Sequence, residues 1–186
     1  TQGFEGYEFH KPKMAGEQFF WHAFCANYLE IVKDRLYNPQ AYPAEAVQSA
    51  RYTLYHTLLA TLKLLAPLVP HITDEIFSLH FAEKEKARSI HVTQWPKPFE
   101  GCEDPQAFGA GEQALAILAA VRQFKSSKGL SLGAEITKLS VEAKDRKLLE
   151  RVVPDLKAAT RAREVVFEKP KEPIAVGEGL AIGINV

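Results

Sequence analysis

FFWHAFCANYLEIVKDRLY, residues 19–37, is a long amphipathic stretch near the start of this sequence. Its apolar residues recur at spacings of three and four in two adjacent rows, which are Phe20, Phe24, Tyr28 and Ile31, and Trp21, Cys25, Leu29, Val32 and Leu36. Two adjacent rows make a wide apolar face. The pattern predicts a helix from Glu17 to Tyr37 that is buried on more than one side, with Phe24 and Tyr28 packed between helices.

Prolines delimit two more predicted helices. One covers residues 44–66, between Pro43 and Pro67, and the next covers about residues 72–81. Proline suits the first turn of a helix but not its interior, so each proline ends one helix or begins another. Short connections favour antiparallel neighbours. We therefore predict an antiparallel helical bundle in residues 1–100.

The second half of the chain has a different pattern. A helix is expected over residues 109–128, followed by a strand at 136–143 and a helical stretch from Asp145 that Pro154 interrupts. Further strands are expected at 165–167, 174–176 and 180–186, the last two joined by a glycine turn. The fold is thus predicted to be mainly α: the bundle, a connector, and a small α+β module at residues 108–186. Residues 89–96 alternate as a short edge strand would.

Charge and composition restrict the possible functions. Lys and Arg total 23 and Asp and Glu total 23, so the net charge is +0. A free-standing nucleic-acid binder usually has a basic excess, so any such role requires a local patch or a larger protein. Cys25 is interpreted as a buried free thiol, and no signal-peptide pattern or membrane-spanning stretch is present, which predicts a cytoplasmic location. The first residue, Thr1, suits a fragment of a longer chain.

No catalytic constellation is recognisable. The sequence has no HExxH, P-loop, GxGxxG or GxSxG motif, and its six histidines lack zinc-site spacing. We therefore predict no catalytic residue, no metal site and no cofactor in this chain. His22 and His56 are interpreted as hydrogen-bonded core residues, and Asp74 and Glu75 as acids that cap a helix start.

Two groups of residues have plausible binding chemistry. The first is Lys33, Arg35, Tyr37 and Asn38, at the end of the first long helix. Lysine and arginine bind phosphates, tyrosine stacks on bases and asparagine bonds base edges, as recognition of a single-stranded RNA loop requires. The alternative is that the cations only match the helix dipole and pair with Glu30 and Asp34.

The second group is Arg122, Lys125 and Lys128, spaced by three along one predicted helix. No acid lies between Glu112 and Glu135, which makes this the longest acid-free basic stretch. It is either a ridge that contacts phosphates or simply a solvated helix face.

Four segments in order resemble the anticodon-binding domain shared by valine, isoleucine and leucine tRNA synthetases of class I. They are residues 19–37, quoted above, ARYTLY at 50–55, LAPLVPHITDEIF at 65–77 and SIHVTQWP at 89–96. The resemblance covers residues 7–96. It implies that the partner is a tRNA anticodon stem-loop, which the chain would hold for a catalytic domain of the same polypeptide.

Residues 121–136, VRQFKSSKGLSLGAEI, with the following strands and helix, resemble the C-terminal module of valine enzymes, particularly the archaeal type. The HIGH and KMSKS signatures of the catalytic domain are absent. The resemblance therefore implies a parent valine–tRNA ligase that uses ATP and magnesium, whereas this chain alone is expected to be inactive. The alternatives are the same domain of an isoleucine or leucine enzyme, or a helical interaction module that binds no RNA.

Overall fold

The computed structural model describes residues 1–99 and 101–186, which form two compact units. The first unit comprises Thr1–Leu29 and Asn38–Glu100, and the second comprises Glu30–Tyr37 and Gly101–Val186. The units differ from the predicted domains in two respects. Residues 101–107, predicted as a connector, are part of the second unit. Residues 30–37, the end of the first long helix, belong to the second unit.

The first unit is helical. Its helices are α1 (Gln2–Glu5), α2 (His10–Gln18), α4 (Ala44–Leu65), α5 (Pro70–His80) and α6 (Ala82–Glu85), with 3₁₀ turns at Pro39–Ala41 and Ile90–Val92. Residues 19–28 continue α2 as a π-helix (Phe19–Tyr28), and α3 (Leu29–Tyr37) follows it directly. The predicted helix over 17–37 is therefore confirmed, but its central part is π-helical. The side-chain amide nitrogen (Nδ2) of Asn27 donates to the backbone carbonyl of His22 at 2.8 Å within this part.

A short turn and a ring contact show that α4 and α5 run antiparallel. Tyr55, midway along α4, lies 5.0 Å from the ring of Phe81, which directly follows α5. Gly16, near the end of α2, lies against Leu65, the last residue of α4; a Cβ at this glycine would be 3.1 Å from the leucine side chain. The core joins apolar residues of α4 and α5 to the 3₁₀ turn, namely Leu59, Leu62, Ala66, Phe77, Phe81 and Ile90.

The Ser89–Val92 segment is a turn, so the predicted edge strand at 89–96 is wrong. Asp74 explains why. Its Oδ1 accepts hydrogen bonds from the hydroxyl of Ser89 at 2.7 Å and from the amide of Ile90 at 2.9 Å. These bonds lower the pKa of Asp74. The interpretation of Asp74 as a helix cap is also wrong, because α5 begins at Pro70 without a side-chain cap and the carboxylate instead holds the turn.

Asp74→Asn should lower stability at neutral pH and much less in acid. The folded protein holds Asp74 ionised below its ordinary pKa of 3.8, so its stabilising contribution is complete above that pH and is lost as pH falls through the lower folded value. Urea unfolding of both proteins at pH 7 and below pH 3 would measure this. A stability difference that is the same at both pH values would contradict the assignment.

Phe24→Ala should lower the free energy of unfolding by about 3 kcal/mol, the lower end of the range for phenylalanine truncations. Phe24 is only 5% exposed and stacks on Tyr28 at 6.2 Å, but Tyr28 and Phe20 are half-buried and can partly fill the space. Urea unfolding provides the measurement, with Trp21→Ala as an exposed control on the same helix. Equal urea midpoints for the two variants would contradict this packing.

The second unit is an α+β module, as predicted. It contains α7 (Pro105–Ser127), β1 (Ile136–Ala143), α8 (Arg146–Glu150), α9 (Val153–Thr160), β2 (Ala162–Phe167), β3 (Ile174–Gly177) and β4 (Leu180–Asn185). The sheet order is β2-β1-β4-β3, in which β1 and β2 are parallel and the other pairs antiparallel. Gly179, with φ +70°, makes the tight turn between β3 and β4.

The core of this module lies between α7 and the sheet. It contains Ala114, Ile117 and Val121 of α7, Ile136, Leu139 and Val141 of β1, and Leu149, Leu156 and Ile182. No helix in the part of the chain that the structure describes is both long enough and apolar enough to cross a membrane.

Candidate nucleic-acid interface

The guanidinium of Arg35 is held in an ion pair within the second unit. Its Nε donates to Oδ1 of Asp155 at 2.6 Å, and a second nitrogen pairs with Oδ2, which makes a two-pronged ion pair between α3 and α9. The side chain of Asp155 is 5% exposed and that of Arg35 is 21% exposed. A paired guanidinium of this kind stabilises the second unit, so the prediction that Arg35 contacts tRNA is not supported by its placement.

Lys125 is buried and is therefore a poor candidate for a phosphate contact. It is 1% exposed, and its Nζ donates to the carbonyls of Leu132 at 3.0 Å, Ala134 at 2.7 Å and Thr160 at 2.8 Å. These three acceptors use all three donors of the ammonium group. Burial and the nearby Arg161 lower the pKa of Lys125. The side chain holds the loop after α7 against the end of α9.

Helix geometry explains why the predicted basic ridge is incorrect. A residue advances about 100° around a helix, so a spacing of three moves each successive side chain about 60° away from the one before. Arg122 is half-buried, Lys125 points into the core, and Lys128 is exposed with its ammonium 5.9 Å from the ring of Phe124. Only Arg122 and Lys128 therefore remain as candidate phosphate contacts from this group.

The other residues of the first group are accessible. In the second unit, Lys33 is exposed and pairs with Glu30 at 2.8 Å, and Tyr37 is 76% exposed. Their spacing of four places them on the same face of α3. In the first unit, the exposed Asn38 precedes the 3₁₀ turn Pro39–Ala41 and does not cap it through its side chain. These three placements are compatible with the predicted role in RNA binding.

Two histidines and one cysteine are less buried than the sequence suggested. His22 is exposed and not a core residue, and His56 is half-buried between aromatic rings. Cys25 is a half-buried free thiol whose pKa is raised by burial, and Cys102 is free and exposed. Within residues 1–99 and 101–186 no three His, Cys, Asp or Glu side chains are grouped closely enough to hold a metal ion.

Sequence reasoning missed an aromatic pocket in the first unit. A cavity of about 280 Å³ is lined by His56 and Lys63 of α4, by Glu85, and by residues of the segment that follows the 3₁₀ turn, including Gln94, Trp95, Lys97 and Phe99. His56 lies 4.2 Å from the ring of Tyr52 and 5.4 Å from that of Phe99. The available signal in the sequence was the group Tyr52, Tyr55 and His56, which lies within about one turn of α4.

Comparison with known proteins places these features in a family. Residues 1–142 match the family described as the anticodon-binding domain of tRNA ligase. The chain is 39% identical to the valine–tRNA ligase of Methanopyrus kandleri over 88% of its own length and 18% of that protein. It is 37% identical to the valine–tRNA ligase of Rickettsia felis, over 95% of this chain and 20% of the relative. It is also 37% identical to the valine–tRNA ligase of Thermococcus kodakarensis, over 78% of this chain and 16% of the relative.

The chain thus spans about a fifth of the length of the curated relatives that it matches. The family match reaches from the helical unit into β1, and the alignment with the Rickettsia relative covers 177 residues. On this evidence, the chain belongs to the family of anticodon-binding domains of tRNA ligases.

Proposed function

We propose that this chain binds the anticodon stem-loop of a tRNA as part of a valine–tRNA ligase and positions that tRNA for aminoacylation. The observation that carries the proposal is the family match over residues 1–142. The valine–tRNA ligase names of relatives that are 35% to 39% identical favour valine over isoleucine and leucine. ATP and magnesium would act in a catalytic domain elsewhere in the polypeptide, and the setting would be the cytoplasm.

The candidate groups suggest a division of labour between the unpaired loop and the base-paired stem of the tRNA. Lys33, Tyr37 and Asn38 provide a cation, an aromatic ring and an amide for an unpaired loop. Arg122 and Lys128 provide cations for the phosphates of the stem. Because the net charge is +0, non-specific attraction to RNA should be weak and the local contacts should dominate.

The test is binding of the 186-residue chain at low salt to tRNA transcripts that differ only in the anticodon. The panel should present valine, isoleucine and leucine anticodons on one tRNA body. The proposal requires the tightest binding for the valine anticodon. Equal affinity for all three anticodons would contradict anticodon recognition, and no measurable binding of any transcript would favour a helical module that binds no RNA.

Lys128→Ala should weaken binding of every transcript by a similar factor. Loss of one phosphate contact reduces the slope of log K against log salt by about one unit, without changing the anticodon preference. Affinities measured at several salt concentrations would show this. Lys84→Ala, which removes an exposed lysine from the first unit, serves as a charge-matched control. If both variants give the same slope, Lys128 makes no specific phosphate contact.

Asn38→Ala should reduce the difference in binding free energy between the valine anticodon and the other anticodons by about 1 to 3 kcal/mol. This is the scale of a lost base-edge contact in direct readout. The salt slope should stay unchanged, because an amide neutralises no phosphate. The same transcript panel provides the measurement. A variant that loses affinity equally for all anticodons would show that Asn38 does not read bases.

A further inference from the structure

The aromatic pocket of the first unit lies outside the residues that we assign to RNA binding on sequence grounds. All of its lining residues, from His56 on α4 to Phe99, belong to that unit. Drug-sized ligands occupy pockets of about 300 to 1,000 Å³. A cavity of about 280 Å³ therefore suits one smaller planar group.

Its walls combine rings with polar groups. Phe99 is 50% exposed and packs edge-on against His56, with an angle of 76° between the ring planes, while Trp95 adds a third ring. The amide of Gln94 can both donate and accept hydrogen bonds. Such a combination of π-faces and an amide is what binds a splayed nucleobase in single-stranded RNA.

The charges around the pocket suit a nucleotide more than a neutral ring alone. Lys63 lies 3.8 Å from Glu85, and Lys97 is exposed at the rim. Glu85 is held by a second contact, because the hydroxyl of Tyr55 donates to its Oε1 at 2.9 Å. Burial and this carboxylate raise the pKa of Tyr55 to about 12, so the phenol keeps its proton. The carboxylate is therefore fixed on the wall of the pocket, and the exposed Lys97 remains as a cation for a phosphate.

We infer that this pocket binds one unpaired nucleobase of the tRNA, which stacks on Phe99, with His56 supporting that ring edge-on and Lys97 beside the backbone phosphate. The inference rests on the proposed function and deepens it, because it adds a second RNA contact in the helical unit. Base stacking tolerates every base, so the pocket supplies affinity and the register of the loop more than sequence preference.

The first experiment compares three variants at Phe99, and one control variant at Phe108, by their affinity for valine tRNA. Phe99→Ala should weaken binding by about 5- to 150-fold, the range spanned by base–aromatic stacking. Phe99→Trp should bind at least as tightly as wild type, and Phe99→Leu should weaken binding nearly as much as alanine. Phe108→Ala is the control, since Phe108 is an exposed ring on α7 that does not line the pocket. It should bind as wild type does.

The second experiment identifies the base. Transcripts that carry an abasic site at each loop position in turn are tested against wild type and Phe99→Ala. At one loop position, the abasic transcript should bind the wild-type protein more weakly than the intact tRNA does. With that same transcript, Phe99→Ala should cause no further loss of affinity. Two results would overturn the nucleobase assignment while tRNA binding itself persists. One is a Phe99→Leu variant that binds tRNA as tightly as wild type. The other is that the affinity losses from the abasic site and from Phe99→Ala add together at every loop position. If no transcript binds wild type, the proposed function fails and this inference fails with it.

Discussion

Lys125→Ala should lower the free energy of unfolding by about 3 to 5 kcal/mol, a larger effect than any surface substitution. Three buried carbonyls, of Leu132, Ala134 and Thr160, would lose their charged donor at once, and a space would open beneath the loop after α7. Urea unfolding monitored by circular dichroism provides the measurement. Because the ammonium group is inside the protein, the salt slope of tRNA binding by the folded variant should stay the same.

Lys128→Ala is the matched control for stability, since it removes an exposed lysine three residues further along the chain. Its free energy of unfolding should change by no more than about 0.5 kcal/mol. A Lys125→Ala variant that is as stable as this control, yet binds RNA with a reduced salt slope, would restore Lys125 as a phosphate contact and contradict the buried position.

Arg35→Ala should destabilise the protein by about 3 to 4 kcal/mol, because it leaves the carboxylate of Asp155 buried without the guanidinium that pairs with it. Asp155→Ala should cost less, since the arginine that remains is one-fifth exposed and can reach water. Replacing both residues by apolar ones, as in Arg35→Met with Asp155→Leu, should recover much of the lost stability.

A double-mutant cycle in urea measures the coupling between these two residues directly. A coupling near zero would mean that the ion pair contributes nothing to stability. If Arg35→Ala unfolds at the wild-type midpoint but loses affinity for tRNA, then the guanidinium acts on RNA, as the sequence pattern suggested.

Strong local signals were enough to predict most of the fold. Proline positions and apolar spacing located α4 and α5, and the alternation in residues 136–143 matched the bounds of β1. The Ser89–Val92 segment was misjudged because its conformation depends on Asp74, fifteen residues earlier in the chain. A pattern read within eight residues contains no information about such a contact.

The candidate site was less predictable, for a similar reason. Arg35 finds its partner 120 residues away, so its charge appeared available when only its neighbours were considered. Lys125 could have been recognised, because it continues the buried row of Leu118 and Val121 at helical spacing. A lysine in such a row needs internal acceptors. The pocket at Phe99 depends on a loop packing beside α4, which the periodicity of either segment does not reveal.

The strand order of the second unit has a consequence for synthesis on the ribosome. β4 lies between β1 and β3, so an interior position of the sheet is filled by residues 180–185, the last of its four strands in chain order. Until that strand emerges, β1 lacks one of its two neighbours and β3 has no partner for its backbone groups. The residues of the helical unit all lie within residues 1–100 and are synthesised first, so this unit can fold while translation continues. Nascent chains arrested before residue 180 should therefore contain a folded bundle and a protease-sensitive module.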